Sequence, residues 1–393
     1  MDQAASRKRG IIYRVLTLIS VCLIAFSFVS PGWWVSLTAP NYPEATFPQG
    51  IKILFHMDSV RNGCTIRASQ EVEENEALDC VHEMDTINHY VGMYPIASGG
   101  PVEKAFSPFL FAMMGVMLLA FAAPGRKSRI GVSVLGYGAI AAWMAMAMYG
   151  ENGISKHTSG YLEGLVVSLG QDSKEAVDDS NLSPIVKMLK QSLAETEDQE
   201  TKAVAASGDK QSLIDNIRAN YNIDNNKKPA AEQEEWNGSV MQVFQWHYAK
   251  SLARWFNEPE RNDPLVATMS SVAQILFVVI IAFMALMVFA AFSARSVFYW
   301  LLVIVPMALP VGFLAEYAGW LWWYGHSLNE MGAFTLKPFM PTVFGDGKVA
   351  QFTTHSYPAQ GFGLMAASSL VLALAALIRF KQLRLAGDAA KEM

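Results

Sequence analysis

The chain has 393 residues, 52% of them apolar and 17% charged, with a formal net charge of −5 and a mean hydropathy of +0.21. That balance is too apolar and too charge-poor for an ordinary soluble domain and points to a membrane protein. The acidic excess sits in the long polar segments, which argues against nucleic-acid binding and against docking onto an anionic lipid surface.

Residues 1–35 hold a basic start, Arg7, Lys8 and Arg9, then a first apolar stretch, Ile11–Pro31. The run is long and ends in Pro31, Gly32, Trp33 and Trp34 rather than a small-residue cleavage site, so an uncleaved span is expected. The paired tryptophans fit an interfacial aromatic belt, and Cys22 reads as a small apolar filler inside the span. Segment 36–104 opens with Pro40, Pro43 and Pro48; Gly50–Met57 then alternates like a short strand. It carries 4 basic and 10 acidic residues, among them Glu71, Glu73, Glu74 and Glu76. In an oxidising compartment Cys64 and Cys80 are expected to pair, which would stabilise by roughly 3 kcal/mol. A free-thiol metal role is the alternative.

Residues 105–149 give two spans, Ala105–Ala123 and Ile130–Tyr149, joined by Arg126, Lys127 and Arg129. Met113 with Met117, and Met144 with Met148, share helical faces; packing is the expected use, with a thioether ladder for Cu(I) as the alternative. Segment 150–268 has 12 basic and 19 acidic residues and reads as a small helical insert. Ser183 and Pro184 start one amphipathic helix through Ile185, Met188, Leu189 and Leu193. Asp209 caps another, and Trp236–Phe256 is amphipathic and suited to the membrane surface. Linkers at 196–208 and 224–235 are polar, with the mobility that composition suggests. Residues 269–323 give spans Met269–Phe292 and Val297–Trp323 around Arg295. Glu316 is the one carboxylate deep in an apolar span, a functional-site candidate by default, with a bonded structural role as the alternative. Pro306 and Pro310 should kink its helix. Segment 324–361 is short, irregular and rich in Pro and Gly, an ordered loop. Residues 362–393 give the last span, Phe362–Phe380, and a basic tail with Arg379, Lys381 and Arg384.

The basic segments all fall on one side if six spans are threaded. The fold class expected is therefore an all-α membrane protein of six transmembrane helices, multi-pass, with both termini cytoplasmic. Three non-cytoplasmic segments follow, the first with some β and the second a helical insert. All seven histidines then lie on the outer side.

The chain holds no Walker A loop, Rossmann fingerprint, HExxH, CxxCH or GxSxG, so catalysis by this chain alone is not expected. What remains is borderline and soft ligands in the outer segments: His56, His89, Met93, His326 and Met340, with His355 nearby. His89 and Met93 are four apart and would share a helical face. Imidazole with thioether suits copper better than zinc, magnesium or calcium. For any single histidine, an ordinary surface or hydrogen-bonded role is the competing explanation.

Three stretches carry a resemblance: Trp34-Val35-Ser36-Leu37-Thr38-Ala39-Pro40-Asn41-Tyr42-Pro43, Ile87-Asn88-His89-Tyr90-Val91-Gly92-Met93 and Trp323-Tyr324-Gly325-His326-Ser327-Leu328-Asn329. The second is close to the Leu-Asn-His-Tyr-Ile-Gly-Met motif of a family of multi-span membrane proteins without a settled activity. The chain resembles that family, whose genes often lie beside those for nitrous oxide reductase and its copper-site maturation. The resemblance implies a bacterial inner membrane and a link to copper delivery, with His89, Met93 and His326 at the matching positions. Asn41, Ser327, the Cys64–Cys80 pair and the insert at 150–268 depart from the pattern. The function expected first is a copper-handling or assembly factor for a copper enzyme. The alternative is an auxiliary subunit of a larger membrane oxidoreductase complex, such as a copper membrane monooxygenase. A transporter component with Glu316 in its path comes third.

Overall fold

The computed structural model describes residues 3–64, 79–172, 209–294, 296–334, 336–349 and 351–391. The helix expected from Ser183 lies outside the described residues, as do the linker 196–208, Glu71 to Glu76 and Arg295. The chain is mostly helical, with apolar helices that fit a multi-pass membrane protein. Five are long and apolar enough to cross a bilayer: α1 (Gln3–Val29), α3 (Pro101–Ala122), α4 (Arg126–Met148), α8 (Pro259–Ala290) and α11 (Gln360–Lys391), with α2, α5, α6 and α7 in the polar segments and α9 and α10 between α8 and α11. The last two, α9 (Val297–Met307) and α10 (Leu309–His326), pass that test only together and are bent by 59°. The bend centres on Ala308, between Pro306 and Pro310. Each proline removes an amide donor and crowds the carbonyl a turn earlier, so the expected kink becomes a break.

Contacts show where the broken pair runs. Tyr299, near the start of α9, donates to the Phe121 carbonyl at the end of α3 and lies under Arg379 of α11. Tyr13 of α1 also packs against Arg379, 4.9 Å from the guanidinium to the ring. The two chain ends and the start of α9 thus share one end of the bundle. The end of α10 is at the opposite end, where Asn329 bonds to Gly92. The pair therefore traverses the bundle once.

At that opposite end lies a five-stranded antiparallel sheet of order β3-β2-β1-β5-β4. Its strands are β1 (Trp33–Thr38), β2 (Ile51–Phe55), β3 (Val60–Asn62), β4 (Gly345–Val349) and β5 (Phe352–Pro358). This corrects two expectations. The sheet is not confined to the first outer segment, and the last outer segment, a loop up to residue 344 as expected, is regular beyond it: β1 pairs with β5 from Trp33 opposite Pro358 to Thr38 opposite Thr353. Trp33 and Trp34 start a strand rather than a lipid-facing belt. Alternation turns Trp33 inward, where it is 1% exposed and packs on Phe313, Tyr317 and Phe362. Its indole N–H donates to Ser356 Oγ at 2.9 Å, which satisfies the one polar atom the burial would orphan. Gly361 lies so close to the Pro31 carbonyl that a Cβ would sit 2.7 Å away, and this clasp holds α1 and α11 side by side.

Helix α2 (Cys80–Tyr90) covers the inner face of the sheet through Val81, Met84 and Ile87. The expected Cys64–Cys80 disulfide is formed and ties the end of β3 to the first residue of α2. Of the helical insert, α5 (Ser159–Asp172), α6 (Lys210–Asn226) and α7 (Val240–Ala253) are described. Asp209 caps α6 by accepting from the Ser212 amide, as its position predicts, and Ser239 caps α7. Their apolar faces (Leu165, Leu213, Ile217, Val243) join the same core as the bundle. The stretch 224–235 is not loose: Asn225 and Glu234 exchange two hydrogen bonds of 2.9 and 3.0 Å.

Candidate functional site

The two best-defined motifs meet. Helix α2 stops at Tyr90 because Gly92 takes φ +82, a conformation natural to glycine. The Met93 amide bonds back to the Asn88 carbonyl and the Gly92 amide to that of His89, the pattern of a Schellman cap. Gly92 then touches the segment after α10: the Asn329 amide donates to the Gly92 carbonyl at 2.7 Å, and the Phe334 amide to that of Tyr90. A Cβ on Gly92 would lie 2.4 Å from the Asn329 carbonyl oxygen. Asn329 Nδ2 in turn reaches Glu258 Oε2 at 2.6 Å, and Tyr324 Oη donates to the Pro95 carbonyl at 2.7 Å. The motifs His89–Met93 and Tyr324–Asn329 form one joint between α2, α8 and α10. Asn329 closes the third motif of the sequence and Glu258 belongs to none, and nothing in the sequence marks either polar side chain as a long-range strut.

The joint does not gather the five predicted metal ligands. The helical face expected to unite His89 and Met93 does not exist, because the cap intervenes. Met93 is buried with Tyr94, Tyr248, Leu252, Phe256 and Tyr324. The His89 ring stacks on Phe256 and tilts against Trp255, and burial holds it below the usual histidine range. Its Nδ1 is buried with no hydrogen-bond partner among the described residues. His326 is exposed, stacked on Trp322 one turn below it, with Nδ1 2.8 Å from the Trp322 carbonyl oxygen. His56 follows β2; burial and the nearby Arg61 charge push it down to about 4. Met340 is exposed in the last loop. Among the described residues, no three His, Cys, Asp or Glu side chains form a metal-binding group. His56, His89 and His326 are thus not brought into one group, and within the donor set His89 keeps a buried nitrogen with no hydrogen-bond partner among the described residues. Glu316 lies on the outward face of α10, within electrostatic reach of Glu103 and Lys104 at the start of α3.

Other histidines serve the outer layer. His157 and His247 are buried, with Nε2 2.9 Å from the Ala105 and 3.3 Å from the Leu165 carbonyl oxygen, respectively. Burial pushes them down to about 4 and about 3. Beneath the joint, Asp85 accepts from the Ile96 amide and faces Arg254 at 3.8 Å, both side chains nearly fully buried. On the outward face of the sheet, His355 Nδ1 is 2.7 Å from Asp346 Oδ1, and Tyr357 donates to the same oxygen. Those two hydrogen bonds hold the Asp346 carboxyl below its ordinary range.

The last outer segment combines order with apolar exposure. It is pinned at Gly92, at Tyr90 and, through the Phe339 amide, at the Gly325 carbonyl. Yet Met331, Phe334, Met340 and Phe344 are each about half exposed or more, with Tyr90 beside Phe334. The segment thus combines a pinned backbone with four large exposed apolar side chains. No family model matches the chain, and no curated protein or solved structure matches it.

Proposed function

We propose that this chain is a six-span membrane protein that acts as an auxiliary, non-catalytic subunit of a larger membrane assembly. Both chain ends would face the cytoplasm, in line with the basic residues that cluster there, and the sheet and helical layer would face outward. One observation carries the reading: the pinned, apolar-decorated loop of residues 328–344. Its occupant would be a partner membrane subunit, because an obligate partner covers such side chains while a lone soluble surface seldom shows them. The test is native mass in mild detergent. We expect the chain to travel in a complex that Phe334→Asp with Met340→Asp dissociates. A monomeric mass for the unaltered protein removes the reading.

Copper handling is a second reading, favoured by one atom: the unpartnered buried Nδ1 of His89, close in the chain to the buried Met93 thioether. An imidazole with a thioether is a donor pair for Cu(I). Copper content of the purified protein, before and after His89→Ala, decides it. Absence of copper in the first, or no loss in the second, ends this reading.

A further inference from the structure

A groove of about 1280 Å³ runs between α6, α7 and the first turns of α8. It exceeds the roughly 300–1,000 Å³ of a small-molecule pocket. Its two ends differ in chemistry. The upper end, on α6 and beyond, holds Lys227 and Lys228, and Lys250 reaches in from α7. Asp224 fixes two of these cations, with Lys250 Nζ at 2.9 Å and Lys227 Nζ at 3.3 Å. Exposed Lys228, Glu234 and Asp263 also line the groove and have no ion-pair partner among the described residues. The lower end is lined by Tyr149, at the outer end of α4, and by Val266, Ala267 and Gln274 of α8. Gln274 is fifteen residues beyond Pro259, so the groove descends about 22 Å from the top of that helix. Just past it, Ile275, Val278 and Val279 are exposed along α8, so the groove opens onto the apolar flank of that helix.

A cleft with mixed charge above and an open apolar flank below matches an amphiphile. We infer that it holds one zwitterionic phospholipid of the outer leaflet, of the phosphatidylethanolamine type. The phosphate lies among Lys227, Lys228 and Lys250, the ammonium faces Glu234 and Asp263, and an acyl chain runs down past Ala267 to Gln274. One unpaired cation, Lys228, and two unpaired acids, Glu234 and Asp263, among the described residues in the lining of one groove favour a headgroup carrying both signs over a purely anionic one. The acidic balance of the whole outer layer, which repels anionic surfaces, favours it too. This inference rests on the membrane reading, which has its own test: release of the chain from membranes requires detergent.

The experiment is native mass spectrometry of the detergent-purified chain, supplied with phosphatidylethanolamine, phosphatidylglycerol or phosphatidylcholine of identical acyl chains. One phosphatidylethanolamine should be retained per chain, at least tenfold over the other two. Glu234→Gln with Asp263→Asn should erase the preference over phosphatidylglycerol. Ala267→Phe, which fills the lower groove from an exposed position, should cut retention about tenfold without changing the thermal melt. Equal retention of phosphatidylglycerol overturns the headgroup assignment. Full retention in Ala267→Phe overturns the groove, as does displacement of the lipid by millimolar inorganic phosphate. If Ala267→Phe lowers the melt, quenching of Trp246 by a bromo-acyl phosphatidylethanolamine, measured against Trp246→Phe, replaces it: no Trp246-dependent quenching overturns the groove.

Discussion

Gly92 shows how one residue can serve two interfaces. Its left-handed φ ends α2, and its missing side chain admits the Asn329 carbonyl. Gly92→Ala pays both the conformational strain and the clash, and we expect a loss of about 1–3 kcal/mol in thermal unfolding. An unchanged melting point would show that the joint bears no load. In the sequence, the same glycine marks a motif whose histidine and methionine invite a metal reading. The stop signal was there to be read; its consequence for His89 and Met93 lies in the cap geometry, which spacing alone does not specify. The buried histidines give a second prediction. Unfolded, His157 and His247 titrate near 6.5, while burial holds the folded forms near 4 and 3. Between those values the unfolded chain binds more protons, so stability falls as pH drops below about 6.5 and is fully retained above it. At pH 5 the loss should be roughly 2 kcal/mol for each residue. Melts at pH 7.5 and 5 test this, and His157→Gln should remove about half of the difference, leaving the share of His247.

At the scale of elements, hydropathy located each of the five long apolar helices among the described residues, because lipid-length apolar runs have no competing explanation. It misjudged the break between α9 and α10, since Pro306 and Pro310 can bend a helix or divide it, depending on what packs around them. Strand β5 was missed for a different reason. Phe352–Pro358 is only half buried along most of its length and lies between β4, whose Gly-Asp-Gly-Lys-Val sequence carries no apolar alternation, and β1, more than three hundred residues earlier. Short-range pattern cannot report such a partner. The cysteine pair was legible because two cysteines share one polar segment. Replacing both Cys64 and Cys80 by Ser should cost about 3 kcal/mol and loosen β3 against α2, read as faster hydrogen exchange in residues 80–90. Exchange equal to that of the unaltered chain would mean that apolar packing alone holds this corner.

For the whole molecule, the six crossings proposed above would put the sheet on one face of the membrane and both chain ends on the other. A membrane-impermeant thiol reagent should modify Lys348→Cys, on β4, from outside intact cells and leave Lys381→Cys untouched until the membrane is opened, in each case in a Cys22→Ser background. Labelling of both from outside would break the topology and the proposals built on it.

The central position of β1 has a consequence for biosynthesis. Its first neighbour, β2, emerges within twenty residues, while its second waits for more than three hundred further residues. Throughout that interval Trp33 to Thr38 present an open hydrogen-bonding edge, the kind that recruits stray strands. Arrival of β5 seals it and at the same moment draws the final helix beside the first. Closure of the sheet thus comes only after every helix between the two strands has been made, and a nascent chain halted before residue 352 is the form that folding helpers and proteases have most reason to recognise.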